Sequence, residues 1–177
     1  MSKILIAYFS RAGNNYAGER IVNLPIGNTE IAAKIIEQLT SGDIFKLNPV
    51  KKYSEDYHTC TQQAQDEKRT NARPELTAYP ENIDSYDTII LCYPNWWGTM
   101  PMPVWTFLEK FNFSDKLILP LCTHEGSGMG RGEDDIKDLC PGVKLEEGLA
   151  IRGGTVNTAE KDIQNWLRKA KLVQEKL

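Results

Sequence analysis

The stretch from Asp87 to Phe111, DTIILCYPNWWGTMPMPVWTFLEKF, constrains this chain more than any other because it holds a strand, a loop and a helix in succession. Thr88 to Tyr93 is rich in Ile and Leu and alternates too little for a half-exposed strand, so it reads as buried on both faces, and Pro94 stops it. Further on, Val104, Phe107, Leu108 and Phe111 recur at offsets of three, four and seven and draw one apolar stripe along a helix that would cover the sheet. Between the two, Pro94-Asn95-Trp96-Trp97-Gly98-Thr99 sets paired indoles and a glycine at the carboxyl end of a central strand. Open α/β sheets bind ligands at that position.

The rest of the chain repeats the pattern. Lys3 to Phe9 is a continuous apolar strand ended by Ser10, and the polar, turn-forming stretch from Arg11 to Ile26 reads as a loop lengthened by an insertion. An amphipathic helix follows on Ile31, Ala32, Ile35, Ile36 and Leu39, with Asn28 expected as its N-cap and Gly42 just past its end. Ile44 to Val50 reads as a shorter, more polar strand, and Pro49 puts it at a sheet edge. Lys51 to Pro80 is charged, with a peripheral helix predicted from about Tyr57 to Asn71. Lys116 to Thr123 makes the fourth strand, and a glycine-dense loop from His124 to Gly132 leads into a short helix ending at Cys140-Pro141-Gly142. Leu145 to Arg152 holds the fifth strand. Asn157 with Glu160 reads as a capping box for a last helix that buries Ile163, Trp166, Leu167 and Ala170. Five such units predict a doubly wound α/β fold, a five-stranded parallel sheet in the order 2-1-3-4-5 wrapped on both faces, in one domain over residues 1–177.

Composition narrows the partners. With 177 residues, 41% hydrophobic and 25% charged, the chain can bury a full core, and a formal charge of −3 with no basic face argues against nucleic acid. No stretch approaches a membrane span, and a cytoplasmic location is the default expectation. The cysteines at 60, 92, 122 and 140 form no C-x-x-C pair and read as reduced thiols, with Cys92 and Cys122 in strand cores. With His58 and His124 as the only histidines, no metal site is expected.

In the predicted strand order the loops after strands one, three and four are neighbours and form one site at the switch point. The first offers Ser10 and the helix start at Gly27-Asn28-Thr29, where hydroxyls, free amides and the positive end of the helix dipole suit a phosphate, without a P-loop lysine. The loop after strand four lacks the dinucleotide spacing, since Arg131 stands where G-x-G-x-x-G needs its last glycine. A mononucleotide bearing an aromatic ring fits better. Trp97 is the expected ring platform, whereas Trp105 and Trp166 lie on helices and read as core.

Taken together, Ile4-Leu5-Ile6-Ala7-Tyr8-Phe9-Ser10, Gly27-Asn28-Thr29, Tyr93-Pro94-Asn95-Trp96-Trp97-Gly98 and Thr123-His124-Glu125-Gly126-Ser127-Gly128 resemble the flavodoxin family, in particular flavodoxin-like proteins carrying W-W-G-T-M-P-M-P. The resemblance implies bound FMN. By position, Ser10, Asn28 and Thr29 would hold the phosphate, with Gly27 opening the helix and Arg11 and Tyr16 as candidates within the insertion. Pro94, Asn95, Trp96, Trp97 and Gly98 would line the ring together with Thr123, His124, Glu125, Gly126 and Ser127. The resemblance also implies that Gly98 offers its carbonyl to the reduced flavin.

Two functions follow as expectations: an electron carrier between redox partner proteins, or an FMN enzyme that oxidises NAD(P)H and reduces a quinone or similar small acceptor. A receiver domain on the same fold would need carboxylates where Ser10 and Pro94 end their strands. A ligand-free interaction module would leave Trp96 and Trp97 as unexplained apolar surface.

Overall fold

A computed structural model describes residues 2–174. The first strand, β1 (Ile4–Tyr8), is entirely buried and lies inside a parallel sheet, one strand from its edge. It pairs on one side with β4 (Asp43–Lys46) and on the other with β5 (Thr88–Pro94), which pairs in turn with β6 (Leu117–His124). Beyond β6 come two short strands, β7 (Lys144–Leu145) and β8 (Leu149–Arg152), both parallel to it. The order β4-β1-β5-β6-β7 is the expected 2-1-3-4-5.

The period-two geometry of strands sorts the core into two layers. Leu5, Ala7, Ile89, Leu91 and Tyr93 face one side with Val104, Phe107 and Leu108 of α3 (Met102–Lys110) and Ile136 of α4 (Gly132–Leu139). Ile4, Ile6, Tyr8, Ile90 and Cys92 face the other with Ala32, Ala33 and Ile36 of α1 (Asn28–Thr40) and Ile163, Trp166 and Leu167 of α5 (Glu160–Lys169). Both faces are therefore covered, as the unbroken apolar strands require. Helix α2 (Tyr57–Arg69) buries only Cys60 and Ala64 and is peripheral. Among the described residues no helix is long and apolar enough to cross a membrane.

Five local readings are corrected. The Arg11 to Ile26 segment is not a loop but carries a hairpin, β2 (Gly13–Ala17) with β3 (Arg20–Leu24), closed by Gly18 and Glu19, both at positive φ. Gly27, not Asn28, is the N-cap of α1. A Cβ there would lie 2.2 Å from Ser10 Oγ and 2.7 Å from the Arg11 carbonyl, so only glycine fits, and Ser10 Oγ supplies the missing cap by accepting from Glu30 N–H at 3.1 Å. Helix α1 ends in the left-handed Ser41, with Gly42 just past it as expected. Strand β4 stops at Lys46 because the chain leaves the sheet: Pro49 bridges Leu76, with Val50 N–H donating to Glu75 and Thr77 N–H to Asn48.

The fifth strand is broken, and its last helix is entered differently. Gly148 leaves the ladder between β7 and β8 to donate its N–H to Glu133 Oε1 at 2.6 Å, against the Met129 side chain. The Asn157–Glu160 capping box is absent. Gly153–Thr158 winds as a 3-10 turn that buries Ala159 before α5 begins, so Asn157 lies inside the turn and caps nothing.

Phe107 is fully buried, its ring 5.8 Å from Phe111 and 5.6 Å from Phe113. Phe107→Ala is expected to lower unfolding free energy by about 3–5 kcal/mol, and Phe111→Ala, at a half-buried position, by clearly less. Urea unfolding of both variants measures the difference, and equal losses would contradict this packing.

Candidate functional site

Every parallel strand delivers its carboxyl end to one edge of the sheet, and the ladder continues past the strands there. Phe9 N–H donates to the Cys92 carbonyl at 3.0 Å, and Asn95 N–H to the Thr123 carbonyl at 2.8 Å. The loops after β1, β5 and β6 thus start at one level and enclose a cleft of about 550 Å³. That lies within the roughly 300–1,000 Å³ of small-molecule sites.

One end of the cleft is the start of α1. Ser10, Asn28 and Thr29 line it, and because Gly27 brings no side chain, the Asn28 and Thr29 amides are left open at the positive end of the helix. The Thr29 and Thr123 hydroxyls, both buried, share a hydrogen bond of 2.7 Å that ties this end to β6. Arg11 borders the cleft, but its guanidinium turns outward to the carbonyls of Asn14, Ser54 and Glu55. It straps the hairpin to the segment before α2.

The other end is aromatic. Trp96 is half-buried, its ring 5.0 Å edge-on from both Phe9 and Tyr53, while Trp97 stands 45% exposed. Trp96 and Thr99 exchange backbone hydrogen bonds around a tight turn whose central residues, Trp97 and Gly98, have φ of 55° and 83°. A left-handed L-residue costs roughly 1–2 kcal/mol, and here α2 holds it: Trp97 Nε1–H donates to the Thr61 carbonyl at 2.9 Å, and Lys68 Nζ donates to the Trp97 carbonyl. Asn95 steadies the same turn from beneath, accepting from Gly98 N–H at 3.0 Å and donating to the Gly128 carbonyl at 2.9 Å.

Pro94, Thr123, His124, Glu125 and Ser127 also line the cleft, so the structure gathers most of the expected residues in one place. Gly27, Gly98 and Gly126 shape the backbone without lining it. The Gly98 carbonyl accepts from Arg131 N–H at 2.8 Å and presses on Gly130, where a Cβ would lie 2.3 Å from the oxygen. His124 Nδ1 accepts from Gly126 N–H at 2.9 Å, which leaves the neutral ring's proton on Nε2. Burial, then the nearby Arg152 charge, lowers the His124 pKa, with Glu125 opposing.

A further wall comes from the hairpin and α2. Asn15, Tyr16, Tyr57, Cys60 and Thr61 all face the cleft, with Tyr16 stacked on Tyr57 at 6.2 Å and 29°. Of these only Tyr16 is singled out by the sequence. The available signal is Asp56, which caps α2 by accepting from Thr59 N–H at 2.8 Å and so sets the Tyr57 to Thr61 turn at the rim. Burial raises the Cys60 and Cys92 thiols and pushes Cys122 and Cys140 up to about 12, so all four are held protonated and none is an activated nucleophile.

Because folding lowers the His124 pKa, its contribution to stability is whole above the unfolded-chain value of about 6.5 and declines as the pH falls below it. His124→Asn is expected to flatten that part of the stability profile. A ring titration by NMR with a midpoint at or above the ordinary histidine value would contradict the assignment.

The Flavodoxin family model matches residues 3–170. No curated protein sequence matches the chain. Among solved structures, a candidate flavoprotein from Bacteroides eggerthii is 28% identical, with a TM-score of 0.77 over 96% of this chain and 98% of that one. One from Bacteroides uniformis is 26% identical, with a TM-score of 0.73 over 94% and 98%. A flavoprotein in complex with FMN from Lactobacillus acidophilus NCFM shares the fold at 18% identity, with a TM-score of 0.61 over 89% and 98%. With a family match over almost its full length and these folds beside it, the chain belongs to the flavodoxin family.

Proposed function

We propose that this protein binds FMN in the cleft between the β1, β5 and β6 loops and acts as an electron-transfer flavoprotein. The observation that carries the reading is the polarity of the cleft. Open helix amides and the Ser10 hydroxyl stand at one end, and the half-exposed Trp97 indole at the other, within a volume suited to one mononucleotide. Ser10 Oγ accepts from Glu30 N–H, so its own proton is available to a phosphate oxygen. The FMN complex of the Lactobacillus acidophilus protein, on the same fold, supports this choice of flavin.

Magnitudes divide the work. A helix terminus stabilises an anion by about 0.3–1 kcal/mol when exposed and about 2 when partly buried, whereas nanomolar binding requires about 12. Stacking on an aromatic side chain adds roughly 1–3 kcal/mol per ring, so affinity rests on Trp97 together with the amide and hydroxyl contacts. The bound flavin supplies the redox chemistry, by one or two electrons. The chain's own part is to bind the phosphate at Ser10, Asn28 and Thr29, to orient the ring with Trp97, and to exclude water with Trp96 and the His124 to Ser127 loop.

A second reading, an NAD(P)H-dependent reductase of quinones or similar small acceptors, is favoured by the wall of Tyr16, Tyr57, Cys60 and Thr61, which encloses more of the cleft than the three loops alone. The carrier reading takes redox proteins as partners; the reductase reading takes a small acceptor.

The purified protein is expected to be yellow or to take up FMN, and a colourless protein that takes up none would overturn both readings. Mixed anaerobically with NADPH or NADH, a carrier keeps its visible band and a reductase loses it rapidly. Trp97→Ala should weaken FMN binding by about 1–3 kcal/mol, read by quenching of flavin fluorescence, and unchanged affinity would remove Trp97 from the site.

A further inference from the structure

One carboxylate in the cleft is left without an answer by the protein. Glu125 follows directly on the end of β6, and its Oε1 is buried with no hydrogen-bond partner among the described residues. The other oxygen, Oε2, accepts from Gly18 N–H at the hairpin tip over a long 3.5 Å. An ionised carboxylate only accepts hydrogen bonds, so an unmet buried oxygen calls for a donor from outside the chain.

The surroundings say which donor. A Cβ added to Gly153 would lie 2.3 Å from Asn28 Nδ2 and 2.4 Å from Glu125 Oε1, so the two side chains converge over one bare Cα. Gly153 is not among the glycines at positive φ, so closeness rather than backbone conformation demands glycine there. This places Glu125 beside the first residue of α1, next to the anion end of a cleft whose lining it shares with Trp96 and Trp97. A phosphate offers no donor to a carboxylate and would be repelled by its charge. A chain of hydroxyl groups between phosphate and ring offers several donors.

We propose that Glu125, with Asn28 and the space left by Gly153, forms a subsite for the polyhydroxyl chain of the flavin, in which Glu125 Oε1 accepts a chain hydroxyl and the Gly18 N–H steadies the carboxylate from the hairpin. The assignment rests on the flavin reading above. It adds a fourth loop, the one after β8, to the site, and it makes the chain, not only the phosphate and ring, a determinant of selectivity.

The test titrates the flavin-free protein with FMN, with riboflavin, which lacks the phosphate, and with lumiflavin, which lacks the chain, following flavin fluorescence. Glu125→Ala is expected to weaken FMN and riboflavin by about tenfold or more and to leave lumiflavin unchanged. Glu125→Gln keeps an acceptor oxygen and should fall between, and Gly153→Ala should reproduce the Glu125→Ala pattern because its methyl displaces both side chains. Equal loss for lumiflavin would put the carboxylate on the ring N–H, and tighter FMN with unchanged riboflavin would put it on the phosphate. Either outcome overturns the subsite, as does no change at all. A wild-type protein that binds none of the three overturns the flavin reading itself.

Discussion

The structure depends on the parallel pairing of β1, β5 and β6. Residues facing one another in this ladder, such as Tyr8 with Cys92 and Tyr93 with Cys122, fix where each strand ends relative to its neighbour. Parallel strands need crossover helices, and those helices cover both faces of the sheet, so the central strands are apolar on both sides and the polar groups of the site lie at the last residues of the strands and in the loops beyond them. The site is therefore an edge property of the sheet. The bonds from Phe9 to Cys92 and from Asn95 to Thr123 carry the ladder into the loops, and the Thr29–Thr123 hydroxyl pair fastens α1 to the same level.

Beyond the ladder, polar side chains hold what the backbone no longer can. Thr99 donates its hydroxyl to buried Asp135, which also faces Arg131 at 3.8 Å, while Arg131 N–H binds the Gly98 carbonyl and Asn95 bridges Gly98 to Gly128. These contacts join the loop after β5 to the loop after β6, so Trp97 keeps a left-handed conformation and a half-exposed indole that the turn alone would not hold. The hairpin does the corresponding work at the other end, anchored through Arg11 and touching Glu125 through Gly18.

Much of this was legible in the residues because burial on both faces leaves an unmistakable apolar run. Ile4 to Tyr8 and Thr88 to Tyr93 could be nothing but central strands, and Pro94 to Thr99 and Thr123 to Ser127 fell where a switch point puts its loops. What stayed hidden was set by contacts distant in sequence. The hairpin carries Gly18-Glu19 in place of an Asn-Gly or Asp-Gly turn signal, and its strands are half-exposed. Gly27 caps a helix because Ser10, far back in the chain, occupies the space of its missing side chain. The break in the last strand follows from Glu133 and Met129 across the fold, which no local pattern announces. Gly153 and Tyr57 join the site by the same kind of long-range packing.

The central claim, one flavin site built from the ends of β1, β5 and β6, is tested most directly by amide NMR of the labelled protein as FMN is added. The account predicts shifts gathered at the Ser10, Asn28 and Thr29 amides, the Thr123 to Ser127 loop and the Trp97 indole N–H, with the exposed face of α5 silent. Shifts confined to other surfaces, or none at saturating FMN, would contradict it.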